Sequence, residues 1–594
     1  MIAGMGSQIK AWVRALEATA PVERREAPIL PLLIDELAAR FEARPALVSR
    51  SDSLTYGALA QSARRCARWG LTEGLKPGDV VALLMPNCPD YMAIWLGLSR
   101  LGVVTALLNT NLGGELLAHA IGAVAPRHVI AAGGLLSTLA QARPYLSSAI
   151  GCWAWGAGDA ALPRLDQAVQ AQPAEPLLPA ERALPSFEDR ALYIYTSGTT
   201  GLPKAANVSH YRLLQWTHWF AGMMNVTPAD RMYDCLPMYH SIGGVVATGA
   251  TLVGGGTVVV RERFSASEFW PDVVGERCTL FQYIGELCRY LVASPPHPQE
   301  RQHTLRLCCG NGLRADVWQE FQSRFGIPEI LEYYAATEAS FSLYNCEGRP
   351  GAIGRIPPFL SHRLPVALVR FDADSALPAR NASGRCERCT ANEIGEALGR
   401  VASGGSDSAG GRFEGYADPA ASRSKVLRDV FESGDAWYRT GDLMRQDDQG
   451  FFYFVDRVGD TFRWKGENVS TTEVADVISR CPGVRDVAVY GVAVPGSEGR
   501  AGMAALVVES GFELAALHRH TRSLPPYARP LFLRIVSAIE LTGTFRLRKH
   551  ELAVAGYDPA QVSDPLYLDD RQAEAYLPLD VARHARIIAG GLRL

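Results

Sequence analysis

The sequence predicts an α/β protein with parallel sheets, followed by a smaller α+β domain at its C-terminal end. Length is the first observation, because 594 residues at about 150 residues per domain are enough for about four structural units. In the N-terminal region short apolar segments alternate with longer amphipathic ones, which indicates parallel strands covered by helices. From residue 451 the pattern changes to short strands with one helix, which is typical of an α+β domain.

The N-terminal elements follow one another at the spacing of a strand–helix–strand unit. Residues 79–87, DVVALLMPN, form an apolar run that ends in a turn and are predicted to be a buried strand. We expect a helix at 91–101, the next strand at 103–109 and a further helix at 115–124. Residues 170–185 are rich in proline and alanine, so this segment is predicted to be a connector.

The uncharged run at residues 242–260 is long enough to span a bilayer as a helix. Its six glycines and three threonines favour instead a buried helix, a glycine turn and a strand at 257–260. The segment SGGSDSAGG, residues 403–411, has the composition of a flexible loop. Three strands are predicted in the C-terminal region, within FFYFVDR, VRDVAVYGVAV and AGMAALVV.

Composition excludes two broad classes of protein. With 48% hydrophobic and 20% charged residues, the chain is not disordered as a whole. Its 59 basic and 62 acidic residues give a net charge of −3, whereas a nucleic-acid binder normally has a basic excess, so we expect no nucleic-acid partner. Residues 1–20 carry Lys and Arg inside an apolar pattern, so no signal peptide or anchor is expected and the predicted location is cytoplasmic.

Cysteine usage is ordinary, and Cys386 and Cys389 have no second CxxC to complete a zinc site. We therefore expect reduced thiols.

The segment YIYTSGTTGLPK, residues 193–204, carries the clearest chemical signal. Glycines let backbone N–H groups approach an anion, hydroxyls add donors, and a lysine adds positive charge, which together suit a polyphosphate. The residues concerned are Thr196, Ser197, Gly198, Thr199, Thr200, Gly201 and Lys204. The segment is not a Walker A loop, because no Gly-Lys-Ser/Thr follows. A plain polar surface loop is the alternative, which this uninterrupted run of anion-binding residue types disfavours.

This segment resembles the signature loop of the acyl-adenylate-forming superfamily, which contains acyl-CoA synthetases, luciferases and nonribosomal adenylation domains. Other segments are similar to superfamily motifs in the same order: LPMYH at 236–240, YAATE at 334–338 and YRTGD at 438–442. One branch, the very-long-chain acyl-CoA synthetases or fatty acid transport proteins, is the most similar. Its resemblance rests on GNGL at 310–313, FYFVDRVGDTFRWKGENV at 452–469, GTF at 543–545 and DPLYL at 564–568.

The resemblance implies an ATP-dependent ligation of a long- or very-long-chain fatty acid to CoA through acyl-AMP, with release of AMP and pyrophosphate. ATP, Mg²⁺ and CoA are the implied cofactor and co-substrates. The implied architecture is a large N-terminal part of several packed subdomains, residues 1–456, that binds ATP and the acyl group. Residues 457–594 are then a small mobile cap that rotates near Gly459 between the two half-reactions. Peripheral association with the inner face of a membrane stays open.

The resemblance also implies roles for individual residues. Lys204 and Thr200 would act on phosphate, and Glu338 would be a catalytic residue and the Mg²⁺ ligand, since a hard cation prefers a carboxylate. Tyr334 would stack on adenine, and Thr337 would donate to phosphate. The remaining nucleotide contacts are implied for Thr196, Ser197, Gly198, Thr199, Gly201, Gly310, Asn311, Gly312, Asp442 and Arg457. The family usually has glycine where this chain has Ala335, so the methyl group narrows the site.

Two residues are assigned to the acyl substrate. His240 would line the junction between the acyl group and the nucleotide, although a lone histidine in such a loop is more often structural. Tyr283 lies in FQYIGELC, which matches the branch's region beside the acyl tunnel but would equally suit an ordinary core.

The cap contains a departure from the family pattern. The resemblance places Arg546 where the family has a lysine that reaches the α-phosphate and the substrate carboxylate. Arginine keeps the charge but not the geometry, and Lys549 is the alternative cation. Arg546 is the only feature that favours one alternative function, a lipid-binding or transport-coupled protein with impaired adenylation. A second alternative, the same ligation on a sterol or bile-acid carboxylate, stays open because the depth of an acyl tunnel is a property of tertiary structure.

Overall fold

The computed structural model describes residues 5–158, 161–181, 184–197, 202–339, 341–372, 375–401, 412–465, 467–497, 499–540, 547–590 and 592. These residues belong to two compact units. The first comprises the described parts of Met1–Pro365, Gly399–Leu427 and Ala436–Tyr438, and the second those of Val366–Leu398, Arg428–Asp435 and Arg439–Leu594. The division predicted between residues 456 and 457 stays a prediction.

The first unit contains a sheet whose described strands number six. Their order across the sheet is Gly151–Trp155, His128–Ala132, Val80–Leu84, Val104–Leu107, Arg190–Ser197 and Pro203–Ser209. Val80 pairs with Val104 in parallel, which confirms the predicted strand–helix–strand arrangement. Only the last pair in this order, which carries the signature segment, is antiparallel.

Both faces of the strand Val80–Leu84 are buried, which accounts for its uninterrupted apolar sequence. Val81 and Leu83 belong to one hydrophobic cluster, with Trp95, whereas Ala82 and Leu84 belong to another on the opposite face. The side chains alternate because the strand period is two residues.

The second sheet of this unit has eight strands among the described residues. Their order is Ser342–Asn345, Glu329–Ala335, Leu307–Asn311, Leu280–Ile284, Arg231–Asp234, Thr257–Val260, Pro45–Val48 and Ser53–Thr55. The six inner strands run parallel to one another, and the two edge strands are antiparallel to their neighbours.

Helices cover these sheets. They span Met5–Glu23, Leu30–Phe41, Tyr56–Thr72, Pro89–Arg100, Gly114–Gly122, Leu136–Ala142, Leu165–Gln170, His210–Met224, Ala250–Val253, Ala266–Gly275, Gly285–Ala293, Ala315–Phe325 and Pro419–Ser424. Short 3₁₀ turns lie at Gly133–Leu135, Arg143–Tyr145, Pro179–Glu181 and Pro358–Leu360. The helices at Pro89–Arg100 and Gly114–Gly122 are those predicted from the sequence.

The uncharged run follows its prediction, with one difference. Its first part, Ser241–Gly249, is a π-helix that continues into the α-helix Ala250–Val253. Gly255, with a φ of 77°, makes the turn, and Thr257–Val260 is the buried strand.

The second unit is built mainly of antiparallel sheet. One sheet has six strands among the described residues, and most of their residues belong to this unit. The strands are Leu377–Pro378, Val366–Asp372, Ile394–Val401, Ala436–Gln446, Val426–Arg428 and Phe452–Arg457. A hairpin joins Phe462–Trp464 to Glu467–Val469. A five-stranded sheet follows, in the order Val484–Ala493, Arg500–Val508, Phe532–Ile535, Leu566–Asp570 and Ala575–Pro578. Its helices are Thr471–Ser479, Leu514–Thr521, Lys549–Ala555 and Val581–Ile588.

The three C-terminal strands predicted from the sequence are thus confirmed, and so is the α+β character of this region. The prediction of one helix was wrong, because four helices lie in its described part. The predicted flexible loop at 403–411 lies outside the described residues. All twelve cysteines are free. Within the described chain, no helix is both long and apolar enough to cross a bilayer.

Candidate active site

The candidate site is built around the loop that follows strand Glu329–Ala335. Residues 336–339 of this loop are held by Arg212, on the helix His210–Met224. The buried guanidinium of Arg212 donates to the carbonyl oxygens of Ala336, at 2.9 Å, and of Ala339. The backbone around Thr337 and Glu338 is therefore fixed by a residue far away in sequence.

A second segment, residues 413–416, closes the loop from the other side. Phe413 forms a β-bridge with Ala339, and Tyr416 forms one with Ala206 on the strand Pro203–Ser209. Between them, the Glu414 carboxylate accepts hydrogen bonds from the backbone N–H of Ser209, at 2.6 Å, and from its hydroxyl, at 2.5 Å. These contacts join the signature segment to the Glu338 loop.

Glu338 is buried and receives two phenol hydrogen bonds. Tyr416 and Tyr438 both donate to its Oε1 atom, Tyr438 at 2.7 Å. Burial raises the pKa of both phenols, and the charge of Glu338 raises it further. At neutral pH both phenols keep their protons, so they act as donors to the carboxylate.

Two residues of the signature segment reach the same place. The Thr196 side chain hydrogen-bonds to the Tyr416 phenol. This hydrogen bond opposes the rise that burial causes in the pKa of Tyr416. The Nζ atom of Lys204 lies 6.0 Å from the centre of the Tyr416 ring. The structure thus brings Thr196, Lys204 and Glu338 together around one tyrosine. Four predicted site residues, Gly198, Thr199, Thr200 and Gly201, lie outside the described residues, as does the side chain of Ser197.

His240 is linked to the Glu338 loop by the next residue, Ser241. The Ser241 hydroxyl is 3.5 Å from the hydroxyl of Thr337. The backbone before His240 is held by the buried amide of Asn87, which donates to the Leu236 carbonyl and accepts from the Met238 N–H, both at 2.7 Å. Leu236, Met238 and Tyr239 are buried, so the segment has apolar surroundings.

Tyr334, the predicted adenine contact, pairs with Leu343 and packs edge-on against Phe341, with ring centres 5.4 Å apart.

Tyr283 and the segment 310–313 meet at a buried carboxyl that the sequence analysis missed. The Tyr283 hydroxyl donates to Oε2 of Glu332 at 2.5 Å, and the Leu313 N–H donates to Oε1 at 3.1 Å. A Cβ atom at Gly310 would collide with Tyr283, so the close approach of the strands requires glycine there. Asn311 ends the strand Leu307–Asn311, and Gly312, with a φ of 77°, makes the turn after it.

The second unit holds the other predicted nucleotide contacts. Asp442 and Arg457 face each other on paired strands, with Nε of Arg457 3.4 Å from Oδ1 of Asp442. Asp442 is buried, whereas the Arg457 side chain is 39% exposed. Arg546 lies outside the described residues. Lys549, its alternative, donates from Nζ to the Thr471 hydroxyl at 2.7 Å.

The donor set at Glu338 fits Mg²⁺ but not a metal site made by protein alone. Among the described residues no group of three or more His, Cys, Asp or Glu side chains could hold a metal ion. Mg²⁺ is commonly held by one or two carboxylates together with substrate phosphates and water. A single buried carboxylate beside a phosphate-binding segment matches that pattern.

Comparison with known proteins gives matches along most of this chain. The AMP-binding enzyme family matches residues 34–364, and its C-terminal domain matches residues 473–546. Long-chain fatty acid transport protein 1 of Mus musculus is 41% identical over 580 residues, which cover 96% of this chain and 89% of the mouse protein.

The chain belongs to the AMP-binding enzyme family. Within this family of acyl-adenylate-forming ligases, it groups with the long-chain fatty acid transport proteins and acyl-CoA synthetases, which confirms the resemblance stated above. AMP-binding enzymes use ATP, Mg²⁺ and CoA, so the cofactor prediction holds at the level of the family.

Solved structures show the same fold. An anthranilate CoA ligase in complex with anthranoyl-AMP superposes with a TM-score of 0.76 at 20% identity, over 91% of this chain and 99% of that one. A Mycobacterium tuberculosis fatty acyl CoA synthetase superposes with a TM-score of 0.62 at 22% identity, over 88% and 97% of the two chains. The predicted fold class is therefore confirmed.

Four residues that hold the Glu338 loop of the candidate site escaped the sequence analysis: Arg212, Glu414, Tyr416 and Tyr438. Tyr438 lies inside the YRTGD motif, so its position was a usable signal. The other three stand in ordinary surroundings, and only the fold shows what they contact.

Proposed function

We propose that the protein joins a long- or very-long-chain fatty acid to CoA, converting ATP to AMP and pyrophosphate through an acyl-AMP intermediate. The observation that carries the proposal is the meeting of Thr196, Lys204 and Glu338 around Tyr416. A hydroxyl, a cation and a carboxylate from two distant segments are what an ATP–Mg²⁺ complex requires. The relatives named for long-chain fatty acid transport support the substrate class.

In the first half-reaction the fatty-acid carboxylate attacks the α-phosphorus of ATP, and pyrophosphate leaves. Lys204 places positive charge where negative charge develops on the leaving group. The Thr196 and Thr337 hydroxyls donate to phosphate oxygens. Glu338 would hold Mg²⁺, which would further neutralise the charge of the phosphates.

In the second half-reaction the CoA thiol attacks the acyl carbonyl and AMP leaves. The acyl-AMP anhydride is reactive towards water, so the site must exclude it. The buried side chains of Leu236, Met238 and Tyr239 before His240 give the apolar surroundings that suit an acyl chain. Asp442 accepts hydrogen bonds from the ribose hydroxyls, for which a carboxylate has enough lone pairs.

A carboxylate panel tests the proposal. The purified protein is assayed for carboxylate-dependent ATP–pyrophosphate exchange and for acyl-CoA formation with octanoate, palmitate, lignocerate and cholate. We expect both activities to be highest with palmitate or lignocerate. A preference for cholate would replace the fatty acid by the bile-acid alternative. Palmitate binding without exchange would instead favour a lipid-binding protein.

Glu338→Gln tests the metal ligand. The amide keeps the shape of the side chain but removes the charge that attracts a hard cation, so the Mg²⁺ concentration for half-maximal exchange should rise by about tenfold or more. Glu329→Gln is the matched control, because Glu329 is exposed at the start of the strand that precedes the Glu338 loop. Superimposable Mg²⁺ titrations of Glu338→Gln and the parent would show that this carboxylate is not a ligand.

A further inference from the structure

Both phenol hydrogen bonds on Glu338 end on the same oxygen atom. Tyr416 and Tyr438 converge on Oε1, and among the described residues none donates a hydrogen bond to Oε2. A buried carboxylate normally satisfies both oxygens. The arrangement therefore divides the carboxylate into an oxygen held by the protein and an oxygen left for another partner.

The two phenols come from different parts of the first unit, 78 and 100 residues from Glu338. The segment 413–416 takes part in holding both. Tyr416 is held by its β-bridge to Ala206, and the Tyr438 ring packs against Phe413 with centres 5.6 Å apart. Two rigid donors on one atom restrict rotation of the carboxylate more than a single donor would.

From this geometry we propose that Tyr416 and Tyr438 are positioning residues that aim Oε2 of Glu338 at the metal of the ATP–Mg²⁺ complex. The inference rests on the proposed function, because it takes Glu338 to be the metal ligand. Partners that orient a metal-binding carboxylate contribute strongly to metal affinity. Thr196, through its hydrogen bond to Tyr416, ties that orientation to the phosphate-binding segment.

Metal binding without turnover tests the inference. Mn²⁺ replaces Mg²⁺ as a paramagnetic probe, and free Mn²⁺ is measured by electron paramagnetic resonance in the presence of the protein and α,β-methylene-ATP, whose α–β bond is not cleaved. We expect Tyr416→Phe and Tyr438→Phe each to raise the Kd of Mn²⁺ by about tenfold. Phenylalanine keeps the ring packing, and either variant alone tests the inference if the other does not fold.

A double-mutant cycle separates positioning from general damage. On a Glu338→Gln background, neither tyrosine substitution should weaken Mn²⁺ binding further, because each phenol acts through the carboxylate. Tyr56→Phe is the control: its buried hydroxyl donates to the Gly256 carbonyl at 2.7 Å, so its loss should leave the Kd unchanged.

Three outcomes would overturn the inference: parental Mn²⁺ affinity in both tyrosine variants, equal losses with and without Glu338, or no effect of Glu338→Gln itself. No fatty acid is present in the experiment, so a protein that fails the carboxylate panel can still show the predicted cycle. Conversely, activity on palmitate with parental Mn²⁺ affinity in both tyrosine variants would leave the proposed function intact and remove only the positioning role.

Discussion

Among single residues, Glu332 is a buried carboxyl whose pKa is raised far from its ordinary value. Burial raises the pKa of its carboxyl to about 8, although hydrogen bonds from Tyr283 and from the Leu313 and Gly312 backbone oppose the rise. The ordinary value is 4.5, so between these two values the folded protein binds a proton that the unfolded chain releases. The contribution of this group to stability is therefore lost as the pH rises from about 4.5 to about 8.

Glu332→Gln should remove that part of the pH dependence, because glutamine is neutral at every pH. The thermal unfolding midpoint, measured from pH 5 to pH 8.5, should fall less steeply in the variant than in the parent. Burial also raises the pKa of Asp234 to about 8. The fall of the unfolding midpoint with pH should therefore be smaller in the variant than in the parent, but not absent. Parallel curves for parent and variant would contradict the assignment to Glu332.

The sequence predicts the charged residues of the site better than the residues that hold them. Lys204 and Glu338 stand inside contiguous motifs, so their chemistry can be interpreted locally. Tyr416 and Tyr438 act on Glu338 across 78 and 100 residues of chain, and nothing in their neighbours shows which carboxylate they contact. Long-range pairing of this kind is a property of tertiary structure.

At the level of elements, the π-helix Ser241–Gly249 packs unusually close to the segment that precedes His240. A Cβ atom on Gly243 would lie 2.5 Å from the carbonyl oxygen of Pro237 and 2.6 Å from that of Leu236. These are backbone atoms, which cannot rotate away as a flexible side chain can. Glycine is therefore required by the packing rather than by the helix itself.

Gly243→Ala should destabilise the protein by about 1–3 kcal/mol, the usual cost of overpacking, and should raise the KM for the fatty acid by displacing His240. Gly275→Ala is the matched control, because a Cβ atom there meets nothing within 4 Å and alanine favours a helix. Chemical denaturation and initial-rate kinetics of both variants provide the measurements. Equal stability of the two variants would contradict the close packing.

The elements were predictable where one local pattern decides them. The strand Val80–Leu84 and the helix Pro89–Arg100 follow from apolar runs and their spacing. The glycines of the run 242–260 correctly predicted a turn before the strand Thr257–Val260. They did not predict the π-helical geometry of Ser241–Gly249.

For the whole molecule, the open question is which cation of the second unit serves adenylation. Lys549 is already engaged there: its Nζ atom donates to Thr471 and lies 3.7 Å from the Asp460 carboxylate. Burial raises the pKa of the neighbouring Asp456 carboxyl, and the charge of Lys549 opposes that rise. Lys549 thus neutralises two acids beside Gly459, the predicted hinge position.

This engagement leads us to expect that Arg546, rather than Lys549, performs the task of the family's lysine. Arg546→Ala should suppress acyl-AMP formation while sparing thiolation of supplied acyl-AMP, and Arg546→Lys should be tolerated. Lys549→Ala should mainly lower the thermal unfolding midpoint, because it leaves Asp456 buried without its compensating charge.

The two half-reactions must be measured separately, since an overall rate can be set by product release and hide a change in chemistry. Adenylation is followed by palmitate-dependent ATP–pyrophosphate exchange, and thiolation by acyl-CoA formation from synthetic palmitoyl-AMP. Loss of exchange in Lys549→Ala at an unchanged unfolding midpoint would transfer the role to Lys549. If both alanine variants retain parental exchange, no cation of this region drives adenylation. A mobile cap that delivers such a charge would then have no part in the first half-reaction.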